Sequence, residues 1–400
     1  ARGLHGHHSS TMMKLFALAL LVALVPLASA TQQWVIVDSD YTTIAMACSF
    51  YEEDTGYVAG GTAAVQSEIL YTTDGGVTFT NEPFVGGNGL AAWLTVDVTS
   101  DGQNGVTGGF GFIGIQAGAI MTNGGNWTSI GSELICAYTD SKALDSQTFA
   151  LIGIWSDSGN FVGNGVRFTT NAGSSWTETT WVPSGVETTA RYGFWIDENT
   201  GYVTGGTFPT DAPEEKMHRL NEFVRFHEGA YEVNMDNDRT VEGYSGLIQS
   251  VTNAGTVFAP LVNTTGDYYF NEIWCSSAQE CWVIASGTNS TSHLPASWIF
   301  YTSDGFSTMQ TQYYGENLAL NTIDFSDPQT GFAGGALLAN GAEFYAAILS
   351  TTDGKTWTLS SDEMKNFFCM DISVVSANYA YCAGITAVGL SSFASYTPNN

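Results

Sequence analysis

The residues best equipped for chemistry in this sequence are carboxylates. Asp197, Glu272 and Asp324 each stand in or beside an apolar run. Two such groups flanking a glycosidic bond would make the acid and base of a glycoside hydrolase. Six further positions, Asp74, Asn123, Asn171, Asn253, Asp304 and Asp353, recur in one local pattern. Three of the six are Asn, which cannot serve as acid or nucleophile but still bonds backbone N–H groups in a turn. These six are therefore read as scaffold. Arg191 could hold a carboxylate or sulfate, and Tyr192, Tyr268 and Tyr269 could stack on sugar rings. No G-x-S-x-G, H-E-x-x-H or C-x-x-C occurs, so no motif supports a nucleophile–base set, a zinc protease or a dithiol. No metal and no cofactor are expected.

The elements that must position these residues repeat. The six Asp/Asn positions are spaced by 49, 48, 82, 51 and 49 residues, inside copies such as Thr72-Thr73-Asp74-Gly75-Gly76-Val77-Thr78-Phe79 and Thr351-Thr352-Asp353-Gly354-Lys355-Thr356-Trp357. A second signature precedes them: Gly56-Tyr57-Val58-Ala59-Gly60-Gly61, Gly201-Tyr202-Val203-Thr204-Gly205-Gly206 and Gly331-Phe332-Ala333-Gly334-Gly335. Each unit reads as four strands in about 50 residues, the size of a propeller blade. The one long interval implies an insertion at 208–243, holding a short amphipathic helix that starts near Asp211-Ala212-Pro213. Within it, Asn234-x-Asp236-x-Asp238 opens like a calcium loop but carries Arg239 where an EF-hand needs Gly. The strand Gln33-Trp34-Val35-Ile36-Val37 has no unit of its own and would close a last blade begun near Phe367. The fold class expected is all-β: a single seven-bladed β-propeller over 31–400, its N-terminal strand closing the last blade.

The recurring turn resembles the Asp-box (bacterial neuraminidase) repeat, S/T-x-D-x-G-x-T/S-W, across about residues 70 to 360. With the Tyr-Val-x-Gly-Gly strand ahead of it, the pattern is most similar to photosystem II assembly/stability factors, and more distantly to sortilin-type, sialidase and xyloglucanase propellers. That resemblance implies a seven-bladed scaffold. A sialidase would need three arginines around its substrate, and the N-terminal arginine motif is missing here.

Composition narrows the partner. Lys and Arg number 11 against 39 Asp and Glu, for a net charge of −28. Nucleic acid and anionic membrane surfaces are thereby disfavoured. Leu15 to Leu27 form an apolar run preceded by Lys14 and followed by Ala28-Ser29-Ala30, the pattern of a secretory signal peptide. Residues 1–30 are thus read as leader plus signal peptide, removed near Ala30, and the protein as secreted with no membrane span. Three sequons begin at Asn126, Asn263 and Asn289, and local disulfides are expected for Cys275 with Cys281 and Cys369 with Cys382. Cys48 and Cys136 are left over. The function expected is a secreted, non-enzymatic binding or assembly propeller whose protein or carbohydrate partner meets the face opposite the Asp/Asn turns; the alternative is a polysaccharide hydrolase using a carboxylate pair.

Overall fold

In a computed structural model the chain folds into the seven blades of a β-propeller, blades 2 and 3 sharing one nine-stranded sheet. The structure describes residues 34–38, 43–62, 67–85, 92–111, 118–130, 135–157, 160–180, 189–207, 243–338, 344–359, 364–386 and 391–396. Residues 1–30 and the helix expected in the insertion lie outside them. No helix occurs among the described residues.

The innermost strands of blades 1 to 7 are Thr43–Phe50, Ala92–Val98, Ile135–Ala143, Thr189–Asp197, Tyr268–Cys275, Leu318–Asp327 and Phe367–Ser376. Blade 7 is composite: its strands Phe367–Ser376, Tyr379–Thr386 and Ser391–Tyr396 are completed by Trp34–Asp38, with Trp34 opposite Tyr396. Blades 2 and 3 are also joined directly by backbone bridges from Cys136 and Ala137 to Gly111 and Phe110.

The strands are apolar on both faces because each blade is packed between two others. Seven buried clusters fill the seven seams, and the seam between blades 7 and 1, built on Phe50, Tyr381 and Phe393, closes the ring. The turn between third and fourth strands is bonded to the turn between first and second strands of its own blade. Gly75 N donates to Asp54 O at 2.8 Å and Gly305 N to Gln279 O at 3.0 Å, with equivalents at Gly124, Ala172 and Gly354. All the Asp/Asn turns therefore share one face. The innermost strands begin at the opposite face.

Candidate functional site

Seven innermost strands enclose a central channel, a cavity of about 220 Å³. Each strand carries a β-bulge at the equivalent position near its start; the residues displaced are Met46, Leu94, Thr139, Arg191, Asn321 and Met370 in blades 1 to 4, 6 and 7. A bulge re-aims the side chains that follow it. The next residue in each blade then forms a ring of Ala47, Thr95, Asp140, Tyr192, Glu272, Thr322 and Asp371. Two residues further on stand Ser49, Asp97, Lys142, Phe194, Trp274, Asp324 and Ser373.

The carboxylates of both rings, with Thr322, Ser49 and Ser373, have one job in common. From the upper ring, Asp140 accepts the N–H of Gly193 at 2.7 Å, Glu272 that of Ile323 at 2.7 Å, Thr322 that of Ile372 at 3.0 Å and Asp371 that of Cys48 at 2.9 Å. From the lower ring, Asp97 accepts from Ala143 and Asp324 from Val374, both at 2.7 Å, while Ser49 and Ser373 accept from Val98 and Phe50. In every case the acceptor is on one blade and the donor on the next. Each innermost strand is the inner edge of its blade, so alternate N–H groups point away from the ladder, and these side chains of the neighbouring blade accept them.

Crowding five carboxylates into one cavity has an electrostatic cost. Burial pushes the Asp140 carboxyl up to about 8 against the Gly193 N–H and Lys142, with a smaller push from Asp371, and burial, with Asp324 nearby, pushes Asp371 to about 7. Burial, Asp371 and Asp140 hold Glu272 well above the usual carboxylate range, and burial lifts Asp324 to about 6. Burial works against the charge of Lys142, yet Asp97, Asp324 and Asp140 around it raise its pKa, and its Nζ lies 3.2 Å from Asp97 Oδ1. Burial raises the Cys48 thiol well above its ordinary value, with Asp371 adding to the effect. Cys48 is a buried free thiol.

At the mouth away from the Asp/Asn turns, the wall is two-sided. Met46, Leu94 and Met370 form an apolar arc on blades 7, 1 and 2. Thr139, Arg191, Tyr192 and Asn321 face it. Asn321 Nδ2 donates to Tyr192 Oη at 2.9 Å, linking blade 6 to blade 4 across the channel.

Of the residues picked from sequence, Glu272, Asp324, Arg191 and Tyr192 all line the channel. Asp197 does not. It is exposed on the other face, in a second cavity with Asp145, Trp195 and Glu198, and its Oδ1 caps the N–H of Asn199 at 2.8 Å. Tyr268 and Tyr269 also stand away from the channel wall. Tyr268 turns into the seam between blades 4 and 5, with Trp298 and Phe300 each 5.1 Å away. Tyr269 has Arg191 over its ring at 5.0 Å and Tyr244 stacked at 6.3 Å, so its faces are occupied. Asp97, Asp140 and Asp371 were missed. The available signal was an acid flanked by apolar or small residues inside a strand, as in Met370-Asp371-Ile372.

The Asp/Asn turns are self-contained. Asp304 accepts from Thr302 Oγ1 (2.9 Å), Thr308 N (2.9 Å) and Thr308 Oγ1 (2.7 Å). Asp74 repeats the set with Thr72 and Thr78, whereas Asn171 accepts from Thr169 Oγ1 and Ser175 N and donates its Nδ2 to Ser175 Oγ. Disulfides join Cys275 to Cys281 and Cys369 to Cys382. Asn126 and Asn263 are exposed and Asn289 half-buried; the Cys136 side chain lies outside the described residues. Among the described residues no group of three or more His, Cys, Asp or Glu could hold a metal ion, and no helix is long and apolar enough to cross a membrane.

The molecule is a seven-bladed β-propeller with a polar central channel. No protein-family model matches the sequence, and no curated protein does. Among solved structures it is similar to YCF48 bound to a D1 peptide, at 15% identity and a TM-score of 0.54, covering 92% of this chain and 97% of that one. It is also similar to a PL25 ulvan lyase bound to -[GlcA(1-4)Rha3S]-, at 9% identity and a TM-score of 0.51, covering 92% and 93%. At these identities the likeness is one of fold.

Proposed function

We propose that this protein is a secreted binding or assembly propeller with no chemistry of its own, engaging a protein or carbohydrate partner at the channel mouth away from the Asp/Asn turns. The observation that carries this reading is the duty of the channel carboxylates. Each spends an oxygen on the backbone N–H of the next blade, which ties it to the scaffold. A hydrolase needs an acid and a base free to exchange protons with substrate and water. The mouth, by contrast, offers what recognition uses: an apolar arc beside Arg191, Tyr192 and Asn321 on rigid strands. A peptide on one similar propeller and an oligosaccharide on another accord with both partner classes. In this reading the recurring turns are Asp boxes, the signal peptide is cleaved near Ala30, and Asn126, Asn263 and Asn289 are glycan acceptors.

A hydrolase remains the second reading because Glu272 and Asp324 share one cavity. The test is capture of partners by residues 31–400 from a panel of polysaccharides and from the secreted proteins of the source culture, alongside Arg191→Ala and Met46→Glu variants of unchanged melting temperature. Capture lost in both variants supports the channel mouth. Capture that both variants retain removes it.

A further inference from the structure

Tyr314 is the one aromatic among the large side chains that stand exposed in the described residues, with 41% of its surface accessible. It ends the outermost strand of blade 5, Gln310–Glu316, on the face away from the Asp/Asn turns. Its hydroxyl is fixed twice: Asn289 Nδ2 donates to Tyr314 Oη at 2.5 Å, and Tyr314 Oη donates to Glu316 Oε1 at 2.8 Å. Ser292 Oγ donates to the same Glu316 oxygen at 2.8 Å. The half-buried Trp298 lies 5.4 Å away at a tilt of 47° and supports the ring from beside it. The Ser292 and Tyr314 hydroxyls keep the Glu316 carboxyl below the usual range, so it stays ionised as an acceptor. Near the edge of the patch, Asp267 accepts from both N and Oγ of Ser290.

We propose that Tyr314, backed by Trp298 and rimmed by Asn289, Ser292 and Glu316, is a binding platform for the ring of a neutral pyranose. A pyranose presents C–H groups on one face and hydroxyls around its edge. The open face of Tyr314 matches the first, and the amide and carboxylate beside it match the second. Because the phenol is already held, little side-chain freedom is lost when a sugar lands. Charge selects the neutral sugar: Glu316 and Asp267 flank the platform and the whole chain is at −28, so uronates and sulfated sugars are repelled. The pyranose can come from two sources. One is an external polysaccharide. The other is the chain's own glycan, because Asn289-Ser290-Thr291 is a sequon whose acceptor amide touches Tyr314.

This inference rests on the carbohydrate arm of the proposed function, and the experiment separates the two. Residues 31–400 exported to a bacterial periplasm carry no N-glycan. Affinity electrophoresis through gels containing a β-glucan, a mannan or a xyloglucan should retard this protein, while alginate and polygalacturonate gels should not. Tyr314→Ala, checked by melting temperature, should weaken retardation at least tenfold. If the sugar is the protein's own, material from a glycosylating host runs unretarded until the glycan is removed enzymatically, and Thr291→Ala from that host is retarded without treatment. Retardation that survives Tyr314→Ala but is lost in Arg191→Ala overturns the platform while leaving the channel mouth standing. No retardation of the unglycosylated protein in any neutral gel overturns the platform outright.

Discussion

Asp304 and Asp140 solve the same problem at opposite ends of the molecule. Both accept backbone N–H groups that strand pairing leaves over, Asp304 within one turn and Asp140 across a blade seam. At the turns, the hidden partner is the preceding threonine. Thr302 is 2% exposed; its Oγ1 donates to Asp304 and accepts from the N–H of Phe306 at 3.0 Å. Thr302→Val keeps the shape and removes both bonds, and should cost about 1–3 kcal/mol in denaturant unfolding. A change within error would mean that the turn is held by its backbone alone. At this scale the sequence was informative where residue type was decisive, since Asn in place of Asp betrayed a scaffold role. It was less informative where register decided. The bulge in blade 5, between Phe270 and Ile273, sits between Tyr268 and Tyr269 and the channel level, and neither tyrosine lines the channel.

Among the strands, Trp34–Asp38 carries the most consequence for its length. It is the outer strand of the blade that also holds the chain's last described residues, so it ties the two ends of the ring together. Its anchor is Trp34, 7% exposed between Phe332 of blade 6, at 5.7 Å, and Tyr396, at 5.6 Å. Trp34→Ala should cost about 3–5 kcal/mol and expose the edge of Ser391–Tyr396. The measurement is chemical denaturation together with sedimentation velocity, with self-association expected in the variant. A melt like that of the parent protein would show that blade 7 stands on three strands. This strand was legible because the apolar run Trp34-Val35-Ile36-Val37 had no repeat unit of its own to join. The bridges from Cys136 and Ala137 to blade 2 were not, because backbone pairing between blades leaves no mark on side-chain periodicity.

The whole molecule balances two sets of acids. Turn carboxyls such as Asp304 and Asp353 are held below their ordinary range by backbone and side-chain hydrogen bonds, so the stability they give is full above about pH 4 and is lost as pH falls from there through their lowered values. The channel carboxyls act with the opposite sign. Asp140, Asp371 and Asp324, raised to about 8, about 7 and about 6, keep protons in the folded state that the unfolded chain has already released. The stability they add is full below about pH 4 and drains away as pH rises through those values. Melting temperature should therefore peak in mildly acidic buffer and fall toward pH 8. In an Asp140→Asn/Asp371→Asn double variant, the alkaline slope should flatten. A melting temperature that climbs steadily to pH 8 would contradict the channel assignments. None of this pairing was visible in the sequence, where successive members of the five acids, from Asp97 to Asp371, lie between 43 and 132 residues apart. Only closure of the ring brings them face to face.

The most direct test of the claim that these carboxylates hold blades rather than cleave bonds is release of new chain ends. A polysaccharide that the protein retains would be incubated with it at pH 5 and pH 7, and both reducing and unsaturated ends followed with time. The account predicts no release above the protein-free blank. Release by the parent protein that disappears in Glu272→Gln or Asp324→Asn, with folding intact, would contradict it and make the channel an active site.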